Sequence, residues 1–540
     1  MQDQHGAASV AVQTESCVAR STVLALPLAC TLALAAMALL PAVQNKPRLL
    51  AAFLGPAVLL MVWNALLFVQ QRGSRARLLA VQVALRPQHY LQACAQGSVL
   101  LYWGWFWPQV YATLYLLLAQ LVFAYAFDML LSWSRRDTYS LGFAPFPVVF
   151  SINLFLWFRE EWFWWQFLMI AVGLAAKELI RWEKEGRWVH IFNPSSFPLA
   201  LLSLVLILTG QTDKTWGPEI ASTLNNPPYI YLLIFLIGLP GQYFFGVTTM
   251  TMSAVTTMYA FGLVYFALTG TYYFVDAYIP IAVFLGMHLL FTDPSTAPRS
   301  ELGRVMFGIT YALSVVALYY VLGYFGVPTF YDKLLAVPLM NVAIKAIERM
   351  ARSHALRAFD PSSLASGLIG RKRNLAYIAV WAAVFLGMNS TQAVGDTHRG
   401  RWVPFQQEAC DQGRPNGCRN LGVMLSRYCA SGSGWACNEY GILLQPARRP
   451  ELAADAFTQA CDLGFSAGCQ NLTSNTAHEP IKAPPAMSDY RIVLRLKGDT
   501  KGLADRDLYR QACTQGFADG CHRACESGDH DACGSAVSRR

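Results

Sequence analysis

The chain has 540 residues, 54% of them apolar and only 14% charged, with a mean hydropathy of +0.33 and a formal net charge of +9. A soluble domain carries about 25% charge, so a string of three or four ordinary soluble domains is excluded, as are disorder, collagen and coiled coil for the whole chain. What remains is an all-α polytopic membrane protein, but the 13 cysteines add a second compartment: Cys17, Cys30 and Cys94 lie in the first hundred residues, and the other ten lie between Cys410 and Cys533.

Residues 1–21 read as an N-terminal tail. A bilayer-spanning helix needs ~20 mostly apolar residues. Candidates in chain order are 22–41, 50–70, 109–131, 143–158, 162–180, 197–209, 228–248, 251–270, 274–291, 305–325, 328–344 and 375–390. That predicts about 10–13 spans. The first is read as a retained span, because its apolar run is long, it has no small-residue cleavage site, and Cys30 sits mid-run without a lipoprotein box. The stretch 98–107 before Pro108 reads as a re-entrant or interfacial piece. Trp103, Trp105, Trp107, Trp162, Trp164 and Trp165 crowd segment ends, as an interfacial belt does.

Loop charge sets an expected orientation. Residues 1–390 carry 25 Lys/Arg against 17 Asp/Glu, and residues 391–540 carry 17 against 16. The basic excess therefore belongs to the membrane half, as the positive-inside rule produces. No basic stripe with interleaved aromatics appears, so nucleic acid is not an expected partner. The linker 345–374 holds Lys345, Arg349, Arg352, Arg357, Arg371, Lys372 and Arg373 against Glu348 and Asp360, and is placed in the cytoplasm. The last span, 375–390, then exports 391–540. Counting backward puts loops 181–192 and 292–304 inside as well. The Arg-rich stretch 72–86 also wants to be inside, which requires an extra crossing near 98–107.

Two polar clusters interrupt the apolar sequence. The first is Trp188-Val-His190-Ile-Phe192-Asn193-Pro194-Ser195-Ser196-Phe197. The second is Phe291-Thr292-Asp293-Pro294-Ser295-Thr296-Ala297-Pro298, followed by Gly303-Arg304 and Phe307-Gly308. Asn-Pro and Asp-Pro break helices and free backbone carbonyls. Non-helical backbone at membrane depth persists only against protein or a cavity. One reading makes each cluster the N-cap of the next span; the other makes them one paired site. His288, one turn before Asp293, is either a packed interhelical residue or a functional one. Gly238-Leu-Pro240-Gly241 reads as a kink or as the wall of a cavity. There is no P-loop, Ser-His-Asp arrangement, HExxH or Rossmann glycine fingerprint, and enzyme activity is left open.

The clusters HIFNPSSFPLALLSL and MHLLFTDPSTAPRSELGRVMFG resemble RnfD and NqrB, membrane subunits of ion-translocating electron-transport complexes. They resemble the UnbU-type RnfD-like proteins more closely. The resemblance covers roughly 160–345. It implies a helical bundle of about ten spans that serves membrane redox or linked transport beside other subunits and, in redox members, holds FMN. It also makes His190, Asn193, Pro194, Ser195, Ser196, His288, Thr292, Asp293, Thr296 and Arg304 candidate cofactor- or ligand-binding residues. Redox members attach FMN through a Thr in a Gly/Ser-Ala-Thr motif between the clusters. This chain lacks that motif; Thr256 and Thr257 are stand-ins, and noncovalent flavin or a lost cofactor is the alternative. A non-redox transporter is the rival reading.

The tail cysteines form five pairs at spacing i, i+8: Cys410/Cys418, Cys429/Cys437, Cys461/Cys469, Cys513/Cys521 and Cys525/Cys533. The frame recurs as ACDQGRPNGC, ACDLGFSAGC and ACTQGFADGC. Eight residues along one helix cover ~12 Å, too far for a disulfide, whereas a helix–Gly turn–helix brings the two cysteines together. Five disulfides are expected, in keeping with an exported tail. The competing zinc reading would use Cys521, His522, Cys525, His530 and Cys533, but no CxxC occurs and no metal is expected. GCRNLGVML, SGWACNEYGILL and the ACxxG…GC corners resemble Sel-one-like repeats, relatives of the tetratricopeptide repeat. The resemblance covers 405–475 and 505–535, with 476–504 as an insertion. It implies an α-solenoid that docks protein partners. The expected setting is the bacterial inner membrane, with 391–540 in the periplasm. A membrane-anchored scaffold is the third reading.

Overall fold

A computed structural model describes residues 20–73, 80–136, 138–184, 186–364, 370–396 and 398–473, with a few single positions omitted, together with Gln13–Thr14 and parts of 509–538. The 476–504 insertion, Cys17 and most of the N-terminal tail lie outside the described residues. The chain is mostly helical and packs as two compact units. One holds residues up to Tyr259 plus Ile281–Ser390; the other holds Ala260–Pro280 plus Thr391–Arg540.

The first unit contains α1 Arg20–Met37, α2 Pro47–Gly73, α3 Pro87–Phe106, α4 Leu114–Arg135, α5 Pro145–Phe155, α6 Trp164–Leu179, α7 Ser196–Leu208, α8 Ile230–Phe245, the N-terminal half of α9 Thr248–Thr269, α10 Ile281–Leu289, α11 Glu301–Tyr324, α12 Asp332–Ala351 and α13 Arg371–Ser390. Its core is aromatic: Phe53, Trp103, Phe167, Tyr231, Phe284, Phe291, Phe307, Tyr311 and Trp381 are fully buried. Gly308 seats α11 against α9, since a Cβ there would fall 2.1 Å from Ser253 Oγ and 2.3 Å from the Met250 carbonyl. Such close approach at a small residue drives helix association where lipid offers no hydrophobic contrast.

Among the described residues, four helical segments are long and apolar enough to cross a bilayer: Pro47–Gln70, Leu114–Arg135, Thr248–Thr269 and Glu301–Tyr324. The apolar helices Ala25–Met37, Pro145–Phe155, Ser196–Leu208 and Ile230–Phe245 have 10–17 residues. At 1.5 Å per residue these fall short of a ~30 Å hydrocarbon core.

Several expected segments differ in extent. Residues 98–106 are the end of the full 20-residue helix α3, not a separate piece, and Trp107 is its C-cap. Segment 274–291 is helical only over Ile281–Leu289; residues 274–280 are irregular and pack in the other unit, because Pro280 supplies no amide hydrogen to continue a helix upstream. Helix α12 runs seven residues into the expected linker, where hydropathy stops but helical spacing does not: Lys345 lies 4.5 Å over the Trp182 ring, and Glu348 caps the backbone near Ser300. Helix α13 begins at Arg371, so its basic first turn is helical too.

Three short strands, β1 Gln13–Thr14, β2 Ala80–Ala84 and β3 Thr138–Leu141, form a small sheet in the order β1-β2-β3. β4 Arg181–Lys184 and β5 Arg187–His190 form an antiparallel hairpin. Its register pairs Arg181 with His190, and Gly186 takes φ +74° at the turn.

The second unit contains α14 Val403–Asp411, α15 Gly417–Ala430, α16 Gly434–Leu444, α17 Pro450–Asp462, α18 Ser466–Thr473 and α19 His530–Ser538. All five i, i+8 pairs, Cys410–Cys418, Cys429–Cys437, Cys461–Cys469, Cys513–Cys521 and Cys525–Cys533, are disulfides with Cα–Cα distances of 4.3–4.7 Å. Identical spacing does not give them identical surroundings. Cys429, Cys437, Cys513 and Cys521 are buried in the apolar core of the unit. Cys461 and Cys469 are only half-buried and lie outside that core. Cys469 sits on the short helix α18, where its carbonyl accepts the Thr473 hydroxyl at 3.3 Å.

The corner chemistry explains the repeated frame. In each described corner the glycine three residues after the first cysteine has positive φ: Gly413 +64°, Gly432 +96°, Gly464 +79° and Gly528 +90°. Each closes a Schellman motif. At the first corner Gly413 N–H donates to the Cys410 carbonyl and Arg414 N–H to the Ala409 carbonyl, both at 2.9 Å. In three of the five pairs a glycine also precedes the second cysteine, and at Gly417 and Gly468 it acts through the space it leaves. A Cβ at Gly417 would lie 2.6 Å from the Ala409 carbonyl, and one at Gly468, next to Cys469, 2.4 Å from Ala460 Cβ. At these two corners the clamped helices cannot close with a side chain there; the Cys429–Cys437 and Cys525–Cys533 corners close with Ala436 and Ala532 in that place.

These repeats fold around Ala260–Pro280. Asn420 Nδ2 donates to the Tyr272 carbonyl at 3.0 Å, Gln406 Nε2 to the Val275 carbonyl at 2.9 Å, and Arg427 pairs with Asp276 at 3.2 Å. Tyr272 and Tyr278 pack on the buried His398 ring.

Candidate functional site

The two polar clusters meet in the first unit. Hairpin β4–β5 ends at His190, and its Nε2 lies 3.2 Å from Asp293 Oδ2. Asp293 turns its other oxygen onto the Ser295 N–H at 2.9 Å. Burial disfavours ionisation of Asp293, yet the hydrogen bond and charge of His190 and the Ser295 amide together hold its carboxyl below the usual carboxylate range.

Asn193 is the hub of the first cluster. It is 7% exposed. Its Oδ1 accepts the Ser195 N–H at 3.0 Å, the Ser196 N–H at 3.1 Å and the Ser195 hydroxyl at 2.7 Å. The two N–H groups are orphan donors at the start of α7, so Asn193 performs the capping its residue type favours. Its Nδ2 donates to the Leu290 carbonyl at 3.0 Å, tying the cap to the second cluster. Pro194 rests on α6, where Gly173 leaves the space: a Cβ there would sit 2.2 Å from the Pro194 carbonyl.

The second cluster is not the direct cap of its following helix. Ser300 is, accepting the Gly303 N–H at 3.1 Å. Asp293 instead folds the turn, with Thr296 N–H donating to its carbonyl at 3.1 Å. Thr292 donates to the His288 carbonyl at 2.9 Å, and the Thr296 hydroxyl to the Asp293 carbonyl at 3.4 Å. Arg304 is consumed locally: it pairs with Glu301 at 2.7 Å and donates to the Pro298 carbonyl at 3.1 Å. His288 is buried one turn upstream, with Nδ1 2.7 Å from the Phe284 carbonyl.

Four participants were not expected as site residues from sequence. Asn341 Oδ1 accepts the Asn193 N–H at 3.1 Å. Lys184 donates to the Ala297 carbonyl at 2.9 Å. Glu348 accepts the Ser300 N–H at 3.0 Å and its hydroxyl at 3.1 Å. Glu301, besides Arg304, accepts the Thr249 hydroxyl at 3.0 Å. Asn341 was the one detectable signal, a lone amide in the apolar run AVPLMNVAI.

The two threonines named as flavin stand-ins lie on α9. Thr256 bonds back to the Met252 carbonyl at 2.7 Å, the usual fate of a threonine inside a helix. Thr257 is half-buried on the same helix. The polar atoms of the two clusters are largely satisfied by each other. Among the described residues, no group of three His, Cys, Asp or Glu is placed to hold a metal ion.

No family model, curated protein or solved structure matches the chain.

Proposed function

We propose that the protein is a multi-pass bacterial inner-membrane protein of the RnfD-like kind, serving membrane redox or linked transport, with its disulfide-clamped repeats exported to the periplasm. The reading supposes about ten or more crossings, some made by helices too short to span alone. One observation carries it: two motifs about 100 residues apart, each breaking a helix, close on each other through His190 and Asp293. A pair of broken segments meeting inside a bundle is the arrangement by which membrane proteins line a path for ions or small solutes. The repeats favour protein partners, and a concave surface of about 360 Å³ lined by Arg419, Val423, Tyr440 and Leu443 is where a docking segment fits.

The second reading is a transporter without redox chemistry. The mutual saturation of the two clusters and the back-bonded Thr256 favour it. An absorbance spectrum of purified protein, before and after acid precipitation, separates the two. Flavin bands in either fraction support the redox reading; a colourless protein rejects it and leaves transport. The scaffold reading predicts that function is lost with 391–540, and it fails if membrane function stays intact after their deletion.

A further inference from the structure

Five helix ends meet at one end of the first unit, around the N-terminus of α11. Glu301, the first residue of α11, accepts the Thr249 hydroxyl from the first turn of α9 at 3.0 Å. It also pairs with Arg304 at 2.7 Å and with Arg373, in the first turn of α13, at 3.5 Å. Asn374, beside Arg373, donates to the Tyr243 carbonyl near the end of α8 at 3.1 Å. Glu348, in the last turn of α12, holds Ser300 and pairs with Arg352 at 3.3 Å. Both α9 and α11 are long and apolar enough to cross a bilayer, so two candidate spans begin side by side here.

Charge at this end is unbalanced. Residues 298–304 and 345–374 hold nine Lys/Arg against three Asp/Glu. All three acids are engaged within the end itself: Glu301 and Glu348 in the contacts above, and Asp360 on the Ser362 N–H at 2.9 Å. Lys345 lies over the Trp182 ring. Arg349, Arg371 and Lys372 are exposed and make no ion pair among the described residues. Large apolar side chains stand exposed beside them. Met350 follows Arg349, and Leu375 lies one turn after Arg371. Exposed cations are ordinarily just solvated; what sets these apart is their position. Cations and apolar groups together at the ends of spans suit the boundary of a bilayer, where apolar stems enter the acyl region and the charge meets phosphate. An acidic protein would answer the charge but not the apolar groups.

We propose that this end of the bundle is a docking surface for anionic phospholipid headgroups, whose phosphates are met by Arg349, Arg371 and Lys372. This rests on the membrane reading but not on redox or transport chemistry. It goes beyond loop charge as a signal of orientation. Binding is assigned to three cations, whereas Arg304, Arg352 and Arg373 hold the end together.

The test is native mass spectrometry of the full-length protein released from detergent, titrated with phosphatidylglycerol or with phosphatidylcholine of the same chains. Phosphatidylglycerol is expected to bind more tightly. The triple variant Arg349→Gln, Arg371→Gln, Lys372→Gln is expected to weaken it about tenfold or more and to leave phosphatidylcholine unchanged. Substitutions at exposed positions alter stability little, and an unchanged thermal midpoint in lipid-free detergent checks that the variant is folded. If it is not, the wild type decides alone: the preference for phosphatidylglycerol shrinks between about 50 and about 500 mM ammonium acetate, as screened charge contacts do. Equal affinity for the two lipids overturns the proposal and leaves an acidic protein as the partner to seek. A preference that survives in the folded triple variant, or that ignores salt, overturns it too. A chain that stays soluble without detergent fails the membrane reading itself, whereas equal lipid affinity in a chain that needs detergent fails only this surface.

Discussion

Asn193 accepts three hydrogen bonds through one oxygen, and its removal strands three donors at once. Asn193→Ala is expected to destabilise the first unit by about 2–3 kcal/mol, between the loss of a cap and the loss of a buried network. Thermal denaturation in detergent measures it. His190 and Asp293 form a contact whose coupling a double-mutant cycle isolates: His190→Ala and Asp293→Ala are expected to be non-additive by about 0.5–3 kcal/mol. Additive effects would mean that the two clusters touch without supporting each other. In the repeat unit, burial, with the charge of Arg401 beside it, lowers the His398 pKa from 6.5 to about 4, and Gly400 N–H donates to its Nδ1 at 2.9 Å. The sign follows from linkage. The unfolded chain binds the proton more readily, so stability rises with pH across the window from about 4 to 6.5, is complete above it, and is lost as pH falls through it. The limit is about 3 kcal/mol. Calorimetry at pH 7 and pH 4.5 is expected to show the loss in the wild type and a smaller one in His398→Gln.

The clamped corner joins a disulfide and a left-handed glycine within ten residues, and at Gly417 and Gly468 a side-chain-free glycine as well. The cysteine spacing was legible from repetition alone, because only a hairpin brings i and i+8 within bonding distance. What sequence did not reveal was why the glycine before the second cysteine recurs. The answer lies in the facing helix, where Ala409 and Ala460 occupy the space a Cβ needs. Gly417→Ala is therefore expected to cost more than the ~1 kcal/mol of a loop substitution, in the range of about 1–3 kcal/mol for overpacking, even though alanine is the better helix former. Burial of the bridges was equally illegible, since Cys437 and Cys469 hold the same place in the frame and only Cys437 lies in the core. Replacing Cys429 and Cys437 together by alanine is expected to cost about 2–4 kcal/mol, read as a lowered urea midpoint. Peptide mapping of unreduced protein checks all five pairings. Helix ends were less legible. Hydropathy ended the expected span at 344, but α12 continues to Ala351 because Lys345 and Glu348 find partners from elsewhere in the chain.

At the scale of the molecule, the repeat unit has a partner inside its own chain. Residues 260–280 fold with 391–540 rather than with the helices on either side of them in sequence. Removing 391–540 therefore does more than delete a docking module. It takes Asn420, Gln406 and Arg427 away from the Tyr272, Val275 and Asp276 they hold. Limited proteolysis of a chain truncated at residue 390 is expected to open new cleavage within 270–280, a segment protected in the full chain. Unchanged protection would show that the segment is ordered without the repeats.

Composition alone pointed toward a membrane, because 14% charge leaves little polar surface for a soluble chain of this length, and four helical segments among the described residues are long and apolar enough to cross one. Local repetition determined the disulfide-clamped tail, since both its cysteines and its turn glycines act over ten residues. Tertiary structure alone decided which distant polar residues meet. His190 with Asp293, Asn193 with Asn341, Ser300 with Glu348 and Gln242 beside His288 are each separated by 46 or more positions, and nothing in a linear pattern records the packing that joins them. The same holds for 270–280: its aromatic, apolar character read as part of a membrane span, and only the carbonyl-seeking amides of Gln406 and Asn420 show it to be held by the repeats.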